Sequence, residues 1–433
     1  MPDGLLRREI DRLGVAAIAM NGVIGSGIFA LPAVAVAQAG AFSPWMFVLC
    51  GALILSVALT FARIASFFDI TGGPIVYTTH AFGRYVGFQT GILIYISRVA
   101  AIAASANLIV SHAAALWPIL GDGVPRALGL GAYLAAATWL NAMGVRAGMA
   151  GIYLISVLKL APLILLILFG LPEVRWTNVL GADVIGAERV GQTMLVLMYA
   201  FIGFEFSLIA AGETRDARSA IPKALVRTVV AIAVCYALIQ LVVISVAPDI
   251  GDSKTPLVEV ARRLLGPWGA LLLGLGVIFS IGGGSLTSLL TAPRLTFALA
   301  RDGSLPGWLG EVSARTGAPV NSILFCGALS FVLAVGQQFV WLTIFATFIR
   351  LVTYALCIAS LPIIERSVAT QPGQFRLPGG LAIPALALIL TAWLLSHTEF
   401  DNVLITAAVA AAGTLVFLAC TWRARRAEQI SGD

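Results

Sequence analysis

Charged residues are scarce in this sequence of 433 residues. Asp, Glu, Lys and Arg make up only 11% of it, whereas hydrophobic residues make up 59%, and the mean hydropathy is +0.97. These values lie far outside the range of water-soluble domains. The composition therefore excludes a soluble enzyme or binding domain and indicates an integral membrane protein.

Histidine and cysteine are also rare, and this limits the possible chemistry. The three histidines, His80, His112 and His397, lie far apart in the sequence, and no HExxH, GxSxG or paired-acid motif is found. The five cysteines are dispersed among apolar segments without paired spacing. We therefore expect no metal site, no cofactor, no disulfide and no enzymatic activity.

Long polar segments are missing between residues 13 and 422. Short polar turns divide this region into twelve apolar stretches, and a bilayer core needs about 20 apolar residues for each helix that crosses it. The predicted spans are 13–38, 43–66, 86–118, 125–143, 148–170, 190–212, 223–247, 267–299, 321–336, 339–363, 380–397 and 401–422. Residues 1–12 and 423–433 remain as terminal tails.

The basic residues are distributed unequally between the two sides of these spans. Of the 27 Lys and Arg residues, 18 fall in the tails and in the connections on the same side, and 6 fall on the opposite side. Cytoplasmic loops carry the excess of Lys and Arg in membrane proteins. We therefore predict a multi-pass protein of the cell membrane with both termini in the cytoplasm. This topology explains the net charge of +6 without nucleic acid as a partner.

Four charged residues lie near the middle of predicted spans. Three are basic, Arg98, Lys159 and Arg350, and one, Glu205, is acidic. Charged side chains within the membrane normally face a cavity or a partner, and they are candidates for function. The alternative is a buried ion pair that only orients the helices.

Glycines interrupt the first predicted span in NGVIGSGIFALP, Asn21–Pro32. A helix that breaks within lipid is tolerated only where it is buried in protein or lines a cavity. Such a break exposes N–H groups at the start of a half-helix, where a carboxylate can bind. The alternative for GSG is close helix packing through small residues.

A second interruption lies in YAFIGFE, Tyr199–Glu205, in the sixth predicted span. Two broken helices in corresponding positions of two five-helix halves indicate a transporter built from inverted repeats, with its site at the midplane. The predicted halves are 13–170 and 190–363, and residues 380–422 form two further helices.

Five motifs in this order resemble the amino acid/polyamine/organocation transporter superfamily, of the amino acid permease type. The motifs are GSGIF at 25–29, TGGPIVYTTHAFGRYVGFQTG at 71–91, FIGFE at 201–205, GETRDARSAIPKAL at 212–225 and PRLTFALARDGSLP at 293–306. The resemblance implies an all-α, LeuT-type fold with 12 transmembrane helices, of which the first and sixth are unwound at the centre.

The same resemblance implies a substrate site formed by the two breaks. Backbone N–H groups of Ser26 and Gly27 would bind the carboxylate of an amino acid, and carbonyl groups of the second break would bind its ammonium. Tyr199 would act as an aromatic gate. The expected substrate-binding residues are Ile24, Gly25, Ser26, Gly27, Phe201, Ile202 and Gly203.

Lys159 resembles the fifth-helix lysine of some branches, where an ammonium takes the place of the sodium ion of sodium-coupled relatives. A desolvated lysine can take up and release a proton during transport, with Ser285 and Ser288 as nearby hydroxyls. In an exchanger it would instead be a permanent cation that connects the fifth span to the broken first span. The sequence leaves both interpretations open.

The sequence departs from the superfamily pattern at Arg63, where the second span commonly carries an acid, and at the start of the third span, GFQTGILIYISRV. Arg98 in that third span falls close to where members of the superfamily line the substrate pocket. Its guanidinium would favour an anionic side chain or exclude cationic amino acids; alternatively it pairs with Glu205.

We expect a secondary active transporter that moves an amino acid by alternating access, coupled to protons in symport. The alternatives are an amino acid exchanger and a polyamine or organic cation transporter. The expected partners are the amino acid, protons and membrane lipids.

Overall fold

A computed structural model of the chain describes residues 10–70, 72–114, 117–143, 149–209, 211, 214–370 and 374–431. Most of the predicted N-terminal tail, the last two residues of the C-terminal tail and the connection at 144–148 lie outside the described residues. Within these ranges the chain is helical and has no β-strand; Ile10 and Thr214 form an isolated β-bridge.

The described ranges contain sixteen α-helices, joined by short turns and 3₁₀ segments. In chain order they are α1 (Arg12–Val23), α2 (Ser26–Ala39), α3 (Ser43–Ala65), α4 (Pro74–Phe82), α5 (Arg84–Ala114), α6 (Gly123–Ala142), α7 (Met149–Gly170), α8 (Trp176–Leu180), α9 (Ala187–Leu197), α10 (Phe206–Ile209), α11 (Ala217–Val246), α12 (Pro256–Arg301), α13 (Val320–Gly336), α14 (Phe339–Ser367), α15 (Ala382–Leu395) and α16 (Phe400–Ser431).

Seven helical segments in the described part are long and apolar enough to cross a membrane. Three shorter helices, α1, α13 and α15, are also apolar. Each of the twelve predicted spans overlaps at least one of the helices. The architecture is that of a multi-pass membrane protein, and the number of crossings stays a prediction.

Besides the short α8 and the first turns of α11, two helical segments lie where the sequence was expected to form a connection. One is α4, which begins with Pro74 after Gly73 (φ +53°) and ends before Gly83 (φ +88°). Proline is compatible with the first helical turn, and glycine accepts a positive φ at little cost, so the residues that suggested a loop instead delimit a helix. The other is the start of α12, which precedes the predicted span and ends at a kink at Gly266 (φ +65°).

The centre of the molecule is formed by α5 and α14. Their most apolar windows are 78% and 72% buried by the rest of the chain, whereas that of α16 is only 11% buried. Small residues on α5, such as Ala100, Ala103, Ala104 and Ala106, are fully buried and allow neighbouring helices to approach closely. Side chains of α5 and α14 are therefore positioned to contact both interrupted spans.

Candidate functional site

The first predicted span is divided into α1 and α2 by Ile24 and Gly25. Ile24 has φ −74° and ψ +94°, and Gly25 has φ −132° and ψ −148°, so neither residue is helical. The Ile24 N–H still donates to the carbonyl of Met20 at 2.8 Å. Because Gly25 has no side chain to cap α2, the first turn of α2 presents N–H groups without a side-chain acceptor at this position.

The sixth predicted span is interrupted between Phe201 and Phe206. A 3₁₀ turn at Met198–Phe201 follows α9, and the chain then turns before α10 begins. Gly203 has φ +121°, a backbone conformation that other residues rarely adopt. Its N–H donates to Oε2 of Glu205 at 3.1 Å. Glu205 therefore stabilises the backbone of the break with its own carboxylate.

The two breaks are in direct contact with each other. A Cβ atom on Gly22 would overlap the carbonyl oxygen of Gly203, and a Cβ on Gly203 would overlap that of Gly22. A Cβ on Gly27 would lie 2.7 Å from Cα of Ala200. The glycines of the first span thus occupy two kinds of position. Gly25 lies in the break, whereas Gly22 and Gly27 allow the broken segments to pack.

Hydroxyl groups connect α2, the 3₁₀ turn and α5 beside this contact. The hydroxyls of Ser26 and Tyr199 lie 3.1 Å apart, and the Ser105 hydroxyl donates to Ser26 at 3.3 Å. Tyr199 also donates to the carbonyl of Ala101 at 3.5 Å, and its ring contacts Phe339 edge-on with a centroid distance of 6.3 Å. The expected gate residue therefore lies directly against the start of α2.

Some accessible surface reaches the junction of the breaks. Gly25, Ile202 and Phe206 are partly exposed, although most residues around them, including Ile24 and Phe201, are buried.

Lys159 of α7 connects to the end of α1. Its ammonium donates to the carbonyl oxygens of Ile24 at 2.9 Å and Asn21 at 3.2 Å, and the side chain is 1% exposed. Carbonyl groups at a helix C-terminus carry partial negative charge, so they stabilise a cation there. Both partners are neutral groups, and no acid within the described ranges forms an ion pair with Lys159.

Neither Ser285 nor Ser288, the two serines expected near Lys159, forms a hydrogen bond with its ammonium. Helix α12 does approach the ammonium, but at Gly284, where a Cβ would lie 4.0 Å from Nζ. Ser285 is buried beside Tyr133 of α6, and its hydroxyl has no hydrogen-bond partner in the described part of the chain. A coupling role of Ser285 and Ser288 stays a prediction.

Glu205 forms an ion pair with Arg350 of α14. Nη1 of Arg350 lies 2.5 Å from Oε1 of Glu205, and the hydroxyl of Tyr354 donates to Oε2 at 2.8 Å. Arg350 also donates through Nε to the Ser97 hydroxyl at 3.3 Å. The alternative expectation, a pair between Arg98 and Glu205, is wrong. Membrane depth can be estimated from the sequence, but the direction in which each side chain points around its helix depends on packing.

Arg98 of α5 is buried without a hydrogen-bonding partner. The residue is 2% exposed, and none of its three guanidinium nitrogens has an acceptor among the described residues. Its Cζ instead lies 4.1 Å from the ring centroid of Phe206. A desolvated cation–π contact contributes about 2 kcal/mol, whereas the effective penalty for burying an ion is several kcal/mol. The contact with Phe206 therefore does not offset the burial of this charge.

Three residues of this region were not identified from the sequence. Ser105 lies seven residues after Arg98, a spacing that puts both on one face of α5, and Tyr354 lies four residues after Arg350 on α14. Helical spacing from the membrane charges is thus a usable signal for both. Ser97 is adjacent to Arg98 in the chain and gives no such signal.

Comparison with known proteins supplies the family. A family model described as amino acid permease matches residues 10–421. The chain belongs to this amino acid permease family. The branched-chain amino acid permease BcaP of Bacillus subtilis (strain 168) is 23% identical over 408 residues, which cover 90% of this chain and 88% of that protein.

Two further relatives span most of the amino acid permease chain. The serine/threonine exchanger SteT of Bacillus subtilis (strain 168) is 26% identical over 410 residues, covering 92% of each chain. The Asc-type amino acid transporter 1 of Mus musculus is 25% identical over 451 residues, covering 97% of this chain and 82% of that one. The superfamily predicted from the five motifs is confirmed, and its members are transporters rather than enzymes.

Proposed function

We propose that this permease is a secondary active transporter that moves an amino acid across the cell membrane by alternating access. The observation that carries the proposal is the contact between the two breaks, Gly22 against Gly203 and Gly27 against Ala200. A site formed where two interrupted helices meet can be exposed to either side by small movements of the half-helices. The relatives named for amino acid transport support the substrate class.

The proposed architecture is a LeuT-type fold with twelve spans. Residues 13–170 and 190–363 form the two inverted repeats, residues 380–422 add two helices, and the tails at 1–12 and 423–433 lie in the cytoplasm. The presence of one interrupted span in each proposed half supports the repeats. The excess of Lys and Arg on one side supports the orientation.

The proposed binding mode places the substrate carboxylate at the start of α2. Backbone N–H groups of Ser26 and Gly27 would bind it, since a helix N-terminus favours an anion and Gly25 supplies no competing side-chain acceptor. The carbonyl groups of Phe201 and Ile202 would accept from the substrate ammonium. Tyr199, held against Ser26 by its hydroxyl, would close over the bound molecule.

We propose that transport is proton-coupled symport, with Lys159 as the proton carrier. Protonated Lys159 donates charge-assisted bonds to the carbonyl groups of Asn21 and Ile24. Loss of the proton would weaken both bonds and release the end of α1, so protonation and the position of the broken helix are coupled. The same bonds also suit an exchanger with a permanent cation at this position, and the name of SteT favours that alternative.

Uptake into proteoliposomes tests both parts of the proposal. The purified full chain would be assayed with a panel of labelled amino acids, in vesicles that are empty or loaded with unlabelled amino acid, with and without an inward proton gradient. Uptake into empty vesicles that the gradient accelerates supports symport. Uptake that requires internal amino acid and ignores the gradient identifies an exchanger, and absence of uptake for the whole panel contradicts amino acid transport.

A further inference from the structure

The guanidinium of Arg98 is a buried cation that pairs with no anion among the described residues. Its neighbour Glu205 is already engaged, because Oε1 pairs with Arg350 and Oε2 accepts from Tyr354 and from the Gly203 backbone. Arg98, Arg350 and Glu205 together therefore leave one uncompensated positive charge beside the second break. Charged side chains in membrane spans are normally paired or face a substrate path.

Arg98 lies on the face of α5 that contacts the candidate site. Ala101 and Ser105 follow it by three and seven residues, which puts all three on one side of the helix. The Ala101 carbonyl accepts from Tyr199, and the Ser105 hydroxyl donates to Ser26. Each helical turn rises about 5.4 Å, so Arg98 lies about one turn along α5 from the residue that contacts Tyr199 and about two turns from the residue that contacts the start of α2.

The ring of Phe206 contacts both Arg98 and the junction of the two breaks. Cζ of Arg98 lies 4.1 Å from the centroid of the Phe206 ring. A Cβ atom on Gly22 would lie 2.7 Å from Cδ2 of the same ring. Phe206 is partly exposed, whereas Arg98 behind it is buried. Rotation of one side chain, at the first residue of α10, would therefore open the guanidinium to the site.

We propose that Arg98 binds a carboxylate on the side chain of the substrate, so that the transported compounds are acidic amino acids. This inference rests on the proposed site at Ser26 and Gly27, which would hold the α-carboxylate. The second carboxylate would extend along α5 and accept two parallel bonds from the guanidinium, a geometry that arginine favours. A neutral amino acid would leave Arg98 without an acceptor in a desolvated site, and this penalty provides the selectivity.

Isosteric pairs of amino acids test the inference with the purified full chain in liposomes. Uptake of labelled glutamate and labelled glutamine would be measured directly, and aspartate and asparagine would serve as competitors. We expect the acidic member of each pair to compete at a concentration lower by about tenfold or more, because only it satisfies the buried guanidinium.

The variant Arg98→Gln should remove this preference. Competition by glutamate and aspartate should weaken by about tenfold or more, while that by glutamine and asparagine stays the same or improves. Arg126→Gln is the matched control, since Arg126 also contacts α5, through Asn107 and Ser111, and its loss changes the net charge equally. The control should keep the acidic preference.

Three outcomes would overturn the inference. If glutamine and asparagine are taken up as well as the acidic amino acids, transport stands and the role of Arg98 is wrong. If uptake of neutral amino acids depends on chloride, and Arg98→Gln abolishes the dependence, the anion at Arg98 is inorganic. If no amino acid is taken up, the proposed function fails as well.

The test remains decisive if Arg98→Gln does not insert into the membrane. The wild-type competition ratios already separate acidic from neutral substrates. The midpoint of thermal unfolding of the wild-type protein in detergent should also rise with glutamate and not with glutamine at the same concentration. Equal shifts with both would contradict the inference.

Discussion

The ammonium of Lys159 lies 2.9 Å from the carbonyl oxygen of Ile24, the first residue of the break between α1 and α2. The two residues are 135 positions apart in the chain. A single side chain of the fifth predicted span thus holds the unwound end of the first. Any change in the charge of Lys159 acts directly on the backbone that forms the candidate site.

Replacing Lys159 by alanine should abolish acceleration of uptake by an inward proton gradient. The substitution removes both the proton-binding group and the bonds to Asn21 and Ile24. Lys159→Arg should likewise abolish proton acceleration while keeping a cation at the break, because arginine does not release its proton. Uptake into empty vesicles is measured with and without the gradient.

Lys254→Ala is the control for this prediction, because Lys254 is an exposed lysine outside both interrupted spans. It should show wild-type acceleration. Retained acceleration in Lys159→Ala would show that the proton is carried elsewhere.

Substitutions of Gly27 and Gly22 should abolish substrate binding. In Gly27→Val the side chain would meet the Ala200 backbone, and in Gly22→Ala the added methyl would overlap the Gly203 carbonyl. Both changes push the broken segments apart, with an expected destabilisation of about 1–3 kcal/mol. Binding is measured by competition for uptake, and membrane insertion by fluorescence size-exclusion of a fusion protein.

Gly274→Ala is the matched control, since it lies within α12 and a Cβ there meets nothing within 4 Å. This variant should bind and fold normally. Normal affinity in Gly27→Val would contradict the proposed site.

Breaking the ion pair between Glu205 and Arg350 should strongly destabilise the protein. Glu205→Gln leaves the Arg350 guanidinium buried without its counter-ion, and losing one member of a buried pair costs about 3–5 kcal/mol. Thermal unfolding of the purified protein in detergent measures the loss.

A more exposed pair provides the comparison for Glu205→Gln. Arg63 and Glu365 lie 2.7 Å apart with side chains 13% and 29% exposed. Glu365→Gln should therefore cost less, nearer the value of about 1 kcal/mol for solvated pairs. Equal losses for the two variants would mean that the pair at Glu205 is not specially stabilising.

Cysteine labelling in intact cells should reveal the predicted topology. In a background without native cysteines, single cysteines on one side should react with an impermeant reagent, and those on the other side should react only after permeabilisation. The outer positions are 122, 181 and 252, and the inner positions are 69, 216 and 302. Inverted labelling at several of these positions would contradict the proposed cytoplasmic termini.

Several properties follow from the amino-acid sequence alone. Composition and segment length identify a multi-pass membrane protein, and the glycines of NGVIGSG locate the interruption that the structure has at Ile24 and Gly25. The five motifs indicate the permease family that the comparisons establish. These properties are local, because solvation by lipid and the need to satisfy backbone hydrogen bonds act within each segment.

The pairing of charges was decided only by the tertiary structure. The sequence shows four intramembrane charges, but it does not show that Glu205 pairs with Arg350, 145 positions away. It also does not show that Arg98 has no acceptor among the described residues. The same holds for Ser285, which faces α6 rather than Lys159. Partners across helices depend on how each helix is rotated about its axis, and this rotation is set by close packing of small residues such as Gly22, whose neighbours lie far away in the chain.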